Sequence, residues 1–320
     1  MTKYIFFRLL SLVPLVFAVS VVSFSLAVIG ENVNGSVAVQ VCANDTSFES
    51  CVETTEKSLG IDKPLPQRFA SWAINAAQGD LGTSSQTSSP VTDLLLEGFW
   101  PTFSIVGLSL LLGVPLGIAL GIFSGRKPGD LRDTTVSVLS TSFLAVPSYV
   151  IGIFLSFFIA TELGWVNPTR YSPSEDGYFE WFKSIVLPAT SLALPTMAII
   201  QRQLRSSMAS ALQSRYVLAA RSRGVSRNAL VAKHALPNAM IPTLAVIGIR
   251  VAASIGITLV VERIFSIDGL GKILSNAVTS NDIPVVQGAM LVIATLVLAV
   301  NLVIDVAYGF LNPKVRLENG

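Results

Sequence analysis

Among 320 residues there is one histidine, His234, and only two cysteines, and charged side chains make up 13%. A single imidazole excludes a histidine-centred metal site. Cys42 and Cys51 have neither a CxxC spacing nor a neighbouring histidine, which excludes a zinc knuckle. No P-loop, HExxH helix or other catalytic constellation occurs, so the chain carries no catalytic residues, no metal and no cofactor of its own. Low charge argues against two soluble domains, because soluble domains carry about a quarter charged residues.

What the chain has instead is apolar surface: 51% of residues are hydrophobic, and the mean hydropathy is +0.63. A helix needs about 20 mainly apolar residues to cross the hydrocarbon core. Windows at 5–29, 100–124, 135–161, 185–205, 241–265 and 285–311 meet that need, which predicts an all-α, polytopic membrane protein with six transmembrane helices. The apolar run of the first window is too long for a signal peptide and lacks a small-residue cleavage site, so it is expected to be retained. The fourth window carries Pro188 and Pro195, which membrane helices tolerate where neighbours satisfy the freed carbonyls.

Lys and Arg mark the cytoplasmic ends of spans. Lys3 and Arg8 open the first span, and Arg126, Lys127 and Arg132 fill one short connection. Arg215, Arg221, Arg223, Arg227 and Lys233 crowd another, and Lys314 and Arg316 follow the last span. Both termini are therefore expected in the cytoplasm. Three parts follow: a first transmembrane helix over 1–30, an extracytoplasmic subdomain over 31–99, and a five-helix core over 100–320 with a cytoplasmic loop over 206–240. In the outer part, Cys42 and Cys51 form a disulfide if the segment lies outside the cytoplasm and are two free thiols otherwise. One or two short helices are expected near 64–78, held to the outer membrane face by Phe69, Trp72 and Ile74. The Gly/Ser-rich GDLGTSSQTSSP should be coil or turn.

Residues 202–242 form the longest basic, Gly- and Pro-punctuated segment. Ser210 to Leu218 suits a helix, Gly224 a stop, and Ser226 a cap for a second helix over Asn228–Ala235 that Pro237 limits. Pro242 is expected in the first turn of the next span. Positive charge alone fits an anchor to anionic lipid in the bilayer. It does not account for the ordered Ala, Gly and Leu-Pro punctuation.

That punctuation resembles the cytoplasmic-loop signature of ABC-importer permeases: Glu-Ala-Ala, three residues, Gly, nine residues, a variable position, one residue, Leu-Pro. Ala219, Ala220, Gly224, Leu236 and Pro237 match, His234 stands at the variable position, and Leu218 replaces the Glu. YVLAARSRG and KHALPNAMIP are similar to the dipeptide/oligopeptide branch, with Tyr216, Ala220, Arg221, Gly224, His234, Asn238 and Pro242 fitting. GIDKPLPQRFASW, GDLGTS, VLPATSLALP, VVERIFSIDGLGKIL and NDIPVVQGAML extend the resemblance over nearly the whole chain. ENVNGSVAVQVCANDTSFESC replaces the family's usual Pro-Gly-Asp-Pro after the first span.

The resemblance implies a type I ABC-importer permease fold in a bacterial plasma membrane. It implies a second homologous permease that completes the pathway as a heterodimer, two cytoplasmic ATPase subunits that bind ATP and Mg, and an extracytoplasmic substrate-binding protein. No nucleic acid is involved. The cargo it implies is peptides or peptide-like solutes, with nickel chelates, haem or oligosaccharides as the alternatives in the same family. A self-contained secondary transporter is the alternative from another class, but the chain shows little of the mid-membrane carboxylates or inverted repeat it needs. The loop's first helix is expected to couple to the ATPase. Small Ala219, Ala220 and Gly224 would allow close approach, and Arg221 and Arg223 charge-assisted contacts.

Within the spans, Arg250 either snorkels to the interface or pairs with Asp305. Glu262, Asp268 and Gly269 are expected to shape an outer gate and dock the binding protein, or simply to end the helix. Gly248, Ala252, Ala253, Ser254 and Gly256 make the fifth span the candidate pathway-lining helix. Gly113, Gly117 and Gly121 form a structural packing stripe.

Overall fold

The computed structural model describes residues 2–34, 38–39, 42, 47–59, 63–162, 164, 171–173 and 177–311. Lys314 and Arg316 lie outside them. Helices α1 (Thr2–Asn34), α2 (Phe48–Leu59), α3 (Leu65–Ala77) and α4 (Val91–Gly125) come first. They are followed by α5 (Leu131–Ala145), α6 (Ser148–Leu155), a π-helical run (Ser156–Glu162) and α7 (Tyr178–Leu212). Then come α8 (Arg215–Ser222), α9 (Arg227–Ala229), a second π-helical run (Leu230–Ala235), α10 (Leu236–Ile264), α11 (Leu270–Thr279) and α12 (Ile283–Leu311). Among the described residues there is no strand, only one bridge between Thr83 and Pro90.

Five stretches are long and apolar enough to cross a membrane: Arg8–Glu31, Val91–Gly125, Tyr178–Leu212, Arg227–Ile264 and Ile283–Val306. The expected third span is not one straight helix. Leu131–Ala145 and Ser148–Ile159 meet at 95°, and counting this bent pair as one span brings the candidates to six. Pro147 explains the corner, because a proline drives the residue before it out of the helical region. Val146 is extended at φ −102° and ψ 125°. Large apolar side chains remain exposed along the long helices, including Val13, Leu111 and Val303 at 65%, 69% and 68%. Stripes of that kind suit hydrocarbon, and the backbone polar groups are satisfied inside the helices as a bilayer requires.

The described chain forms two compact units. The first comprises residues 1–6, 103–267 and 300–320, and the second residues 7–102 and 268–299. In the first unit α7 is the central element. It stays helical through Pro188 and Pro195, and packs against α4, α5, α6 and α10. One face carries Ile185, Leu187 and Leu192 into a core with Ile105, Val261, Phe265 and Ile267. Further along, Leu204 and Met208 meet Val231 and Ala239.

Glycine lets α4 come against α7 with almost nothing between. A Cβ at Gly113 would lie 2.9 Å from the Ala193 carbonyl oxygen, and at Gly117 2.8 Å from both Ile200 Cβ and the Met197 oxygen. At Gly121 it would lie 2.8 Å from Leu204 Cβ. The stripe is therefore a helix seam, and Gly125 extends it to Met208.

In the second unit, Leu81, Val91, Leu95, Leu270, Ala277, Val285 and Ala289 form the core. Helix α3 lies on α1 through aromatic edges: Phe69 to Phe24 at 5.5 Å and to Phe17 at 5.8 Å, and Trp72 to Phe24 at 6.0 Å. Arg68 adds an ion pair to Glu31 at 2.6 Å, both side chains largely buried. Ile74, expected with Phe69 and Trp72 at the outer membrane face, takes no part in this contact and is exposed. Cys42 and Cys51 are joined as a disulfide.

Candidate functional site

The first helix of the basic loop begins five residues later than its sequence pattern suggests. Helix α7 runs on to Leu212, and Ser214 starts a separate helix, Arg215–Ser222, in place of the expected Ser210 to Leu218. Gly224 stops it at φ +81°, a conformation that costs glycine nothing. Ser226 then precedes α9, and its carbonyl accepts from Leu230 N at 2.9 Å. Pro237 does not limit this helix. It sits in the first turn of α10, where no proline N–H is missed, and the wider π turn before it leaves room for the ring. Pro242 consequently falls inside α10 rather than in its first turn.

Three of the residues singled out in the sequence converge. Tyr216 Oη donates to the His234 carbonyl at 3.2 Å, and Asn238 Nδ2 donates to Tyr216 Oη and to the same carbonyl, both at 2.9 Å. This clamp ties α8 to the start of α10. It uses the backbone carbonyl of His234 and not its side chain. Ala220 is 1% exposed and packs with Val217 and Leu230. It faces the loop's own interior. The exposed face of α8 carries Tyr216, Leu218, Ala219 and Arg221, with Arg223 just beyond. Leu236 is half-buried against Leu204 and Met208, and Pro237 is exposed.

Arg250 Nη2 donates to Thr196 Oγ1 on α7 at 3.4 Å, and its Nε is buried with no hydrogen-bond partner. No ion pair joins it to Asp305 among the described residues; the close packing of α10 on α7 directs it to Thr196. Gly248 lets α10 meet Ile304 of α12, whose Cγ2 lies 2.5 Å from where a Cβ would be. Glu262 is fully buried, so it cannot meet a docking protein from solution. In the second unit Asp268 is exposed and pairs with Lys272 at 2.7 Å, and Gly269 is the residue that begins α11.

Two buried carboxylates escaped the sequence reading. Asp133, 2% exposed, accepts from both Arg205 Nε and, at 2.6 Å, Arg205 Nη2, while Gly129 N donates to it at 2.8 Å and Ser137 Oγ at 3.3 Å. This fork fixes α5 to α7 beside the loop. Asp282, 4% exposed, accepts from Ser84 Oγ and from Ser85 N at 3.1 Å and Oγ at 3.2 Å. It thereby hooks the GDLGTSS turn to the start of α12. Asp133 lay within the charged run GRKPGDLRD and Asp282 at the edge of an apolar run, and neither setting signals a buried partner.

The family model described as "Binding-protein-dependent transport system inner membrane component" matches residues 117–317, a stretch that holds the clamp, the loop and the glycine seam from Gly117 onward. The chain belongs to this family. Its members are the membrane components of ABC importers, and this permease is a multi-pass membrane protein of that kind. It is 33% identical over 316 residues to "Probable peptide ABC transporter permease protein y4tP" of Sinorhizobium fredii, covering 99% of this chain and 100% of that protein. It is likewise 33% identical over 318 residues to "Glutathione transport system permease protein GsiC" of Shigella flexneri, covering 99% and 100%. Among solved structures, a chain of the MetNI methionine ABC transporter in inward-facing conformations aligns with TM-score 0.53 and 17% identity, over 68% of this chain and 96% of that one. That likeness bears on the fold: the permease has the ABC-importer permease architecture. The family implies ATPase and substrate-binding partners.

Proposed function

We propose that the permease imports peptides or peptide-like solutes across a bacterial inner membrane, as one half of a pathway completed by a second, homologous permease. The observation that carries this reading is similarity to peptide and glutathione permeases over 99% of the chain. Both termini and the basic loop face the cytoplasm, where two ATPase subunits bind ATP and Mg. A binding protein delivers cargo from the other side, and Asp268 and Gly269 belong to the surface that meets it.

Helix α8 is the coupling element. Its exposed Leu218 and Ala219 enter a groove on the ATPase, with Arg221 and Arg223 giving charge-assisted contacts at the rim. Buried Ala220, Gly224 and the Tyr216–His234–Asn238 clamp keep the helix in place. Closure of the ATPase pair on ATP then moves the spans as rigid bodies and gives alternating access. The chain itself hydrolyses nothing.

The test is reconstitution with the ATPases, second permease and binding protein encoded alongside it. Uptake of a labelled peptide should need ATP and be blocked by vanadate. Leu218→Arg, on the exposed face, should insert normally yet lose ATPase co-purification and uptake. Uptake driven by an ion gradient without the ATPases would refute the reading.

A further inference from the structure

Beside the loop, in the first unit, lies a cleft of about 190 Å³ between the α4–α5 connection and α9. Arg126, Lys127, Arg132 and Arg227 line it. None of the four has an ion pair among the described residues. Arg227 Nη2 donates to the Arg126 carbonyl at 3.0 Å, so the two walls are tied to each other by backbone and guanidinium rather than by opposite charges. The guanidinium of Arg132 sits 5.8 Å over the ring of Phe123.

The two carboxylates in the lining offset only part of this charge. Asp133 is taken by the fork from Arg205, and Asp130, which accepts from Leu131 N at 2.9 Å as the cap of α5, stands as one anion against the four cations. The cleft therefore gathers four cationic groups around open volume, with the positive end of a 15-residue helix beside it. Next to the charges stand apolar side chains that protein does not cover: Leu131 at 78% exposed and Phe123 at 46%. A cationic hollow with an apolar rim at the ends of membrane helices matches a molecule that has an anionic head and hydrocarbon tails.

We propose that this cleft binds the phosphate headgroup of an anionic phospholipid, its acyl chains lying along Phe123 and Leu131. The phosphate takes charge-assisted hydrogen bonds from Arg126, Lys127 and Arg227. The lipid bridges the α4–α5 connection to the segment that leads into α10. This goes beyond the transport reading and does not depend on it.

The probe is phosphatidylglycerol in phosphatidylcholine nanodiscs holding the full chain, with retained lipid counted by native mass spectrometry. Arg126→Gln/Lys127→Gln/Arg227→Gln should lower retention about tenfold or more. The charge-matched control Arg202→Gln/Arg215→Gln/Lys233→Gln, outside the cleft, should keep it. If the triple variant does not fold, Lys127→Gln/Arg132→Gln leaves the Arg227–Arg126 bond intact and should show the same direction. Equal retention in wild type and cleft variants, or equal loss in the control, overturns the proposal. A separate arm adds inorganic phosphate to pure phosphatidylcholine nanodiscs. Phosphate bound there by the wild type and lost in the triple variant, with no cleft-dependent retention of phosphatidylglycerol in the first arm, would assign the cleft to a soluble anion and overturn the lipid assignment.

Discussion

The two compact units each contain a buried aspartate that staples a connection to a long helix, and they satisfy it by different chemistry. Asp133 is met by a guanidinium fork, whereas Asp282 is met by two hydroxyls and a backbone N–H. A charged partner ties the strength of the joint to a second ionised side chain, because losing the cation strands a buried anion. Neutral donors spread the same task over several small groups, each replaceable by water or by its neighbours. Asp133 stands beside the loop proposed to receive force, and Asp282, at the start of α12, holds the turn that carries the GDLGTSS motif.

The largest effect should come from Arg205→Met. It leaves Asp133 buried without its counter-charge, and about 3 kcal/mol of stability should be lost. Asp133→Asn should cost clearly less, because Arg205 is 34% exposed and can turn to solvent. Equilibrium unfolding in mixed detergent and denaturing micelles measures both, and equal costs would break the asymmetry. Next in size is Gly117→Ala, in which the new methyl meets a backbone oxygen and a Cβ that cannot yield, at about 2 kcal/mol.

Asp282→Ala should follow at about 1.5 kcal/mol, since Ser84 and Ser85 can then bond to each other or to water. Its readout is protease sensitivity in the 79–90 segment as well as overall unfolding. The smallest effect belongs to Ser85→Ala and Gly288→Ala, each under about 1 kcal/mol. At Gly288 a Cβ would lie 2.8 Å from Val91 Cγ1, a side-chain tip that can rotate away. A cost for Gly288→Ala as large as that for Gly117→Ala would show that the second unit is packed as tightly as the seam.

Much of this was legible in the sequence. Apolar runs of membrane-spanning length locate five spans and both halves of the sixth, and Gly224 and the Gly113–Gly117–Gly121 spacing mark a stop and a seam because glycine has few other uses at such positions. The corner at Pro147 was harder, since Pro188 and Pro195 are read through without a break and composition does not tell the cases apart. What separates them is burial: α7 has neighbours on most sides to hold it straight, and α6 has fewer. The burial of Ala220 against Val217 and Leu230 was not legible, because spacing fixes which residues share a helix side and not which side is covered. Asp133 and Arg205 lie 72 residues apart, and no local pattern links them.

The glycine seam also bears on mechanics. Side chains between two helices are hinges of a sort, able to change rotamer and let one rod creep past the other. Where α4 rests its backbone directly on α7 there are no such joints to give. A push on α8 enters α7 after only two residues, Gln213 and Ser214, and the paired helices then behave as one stiff beam rather than two.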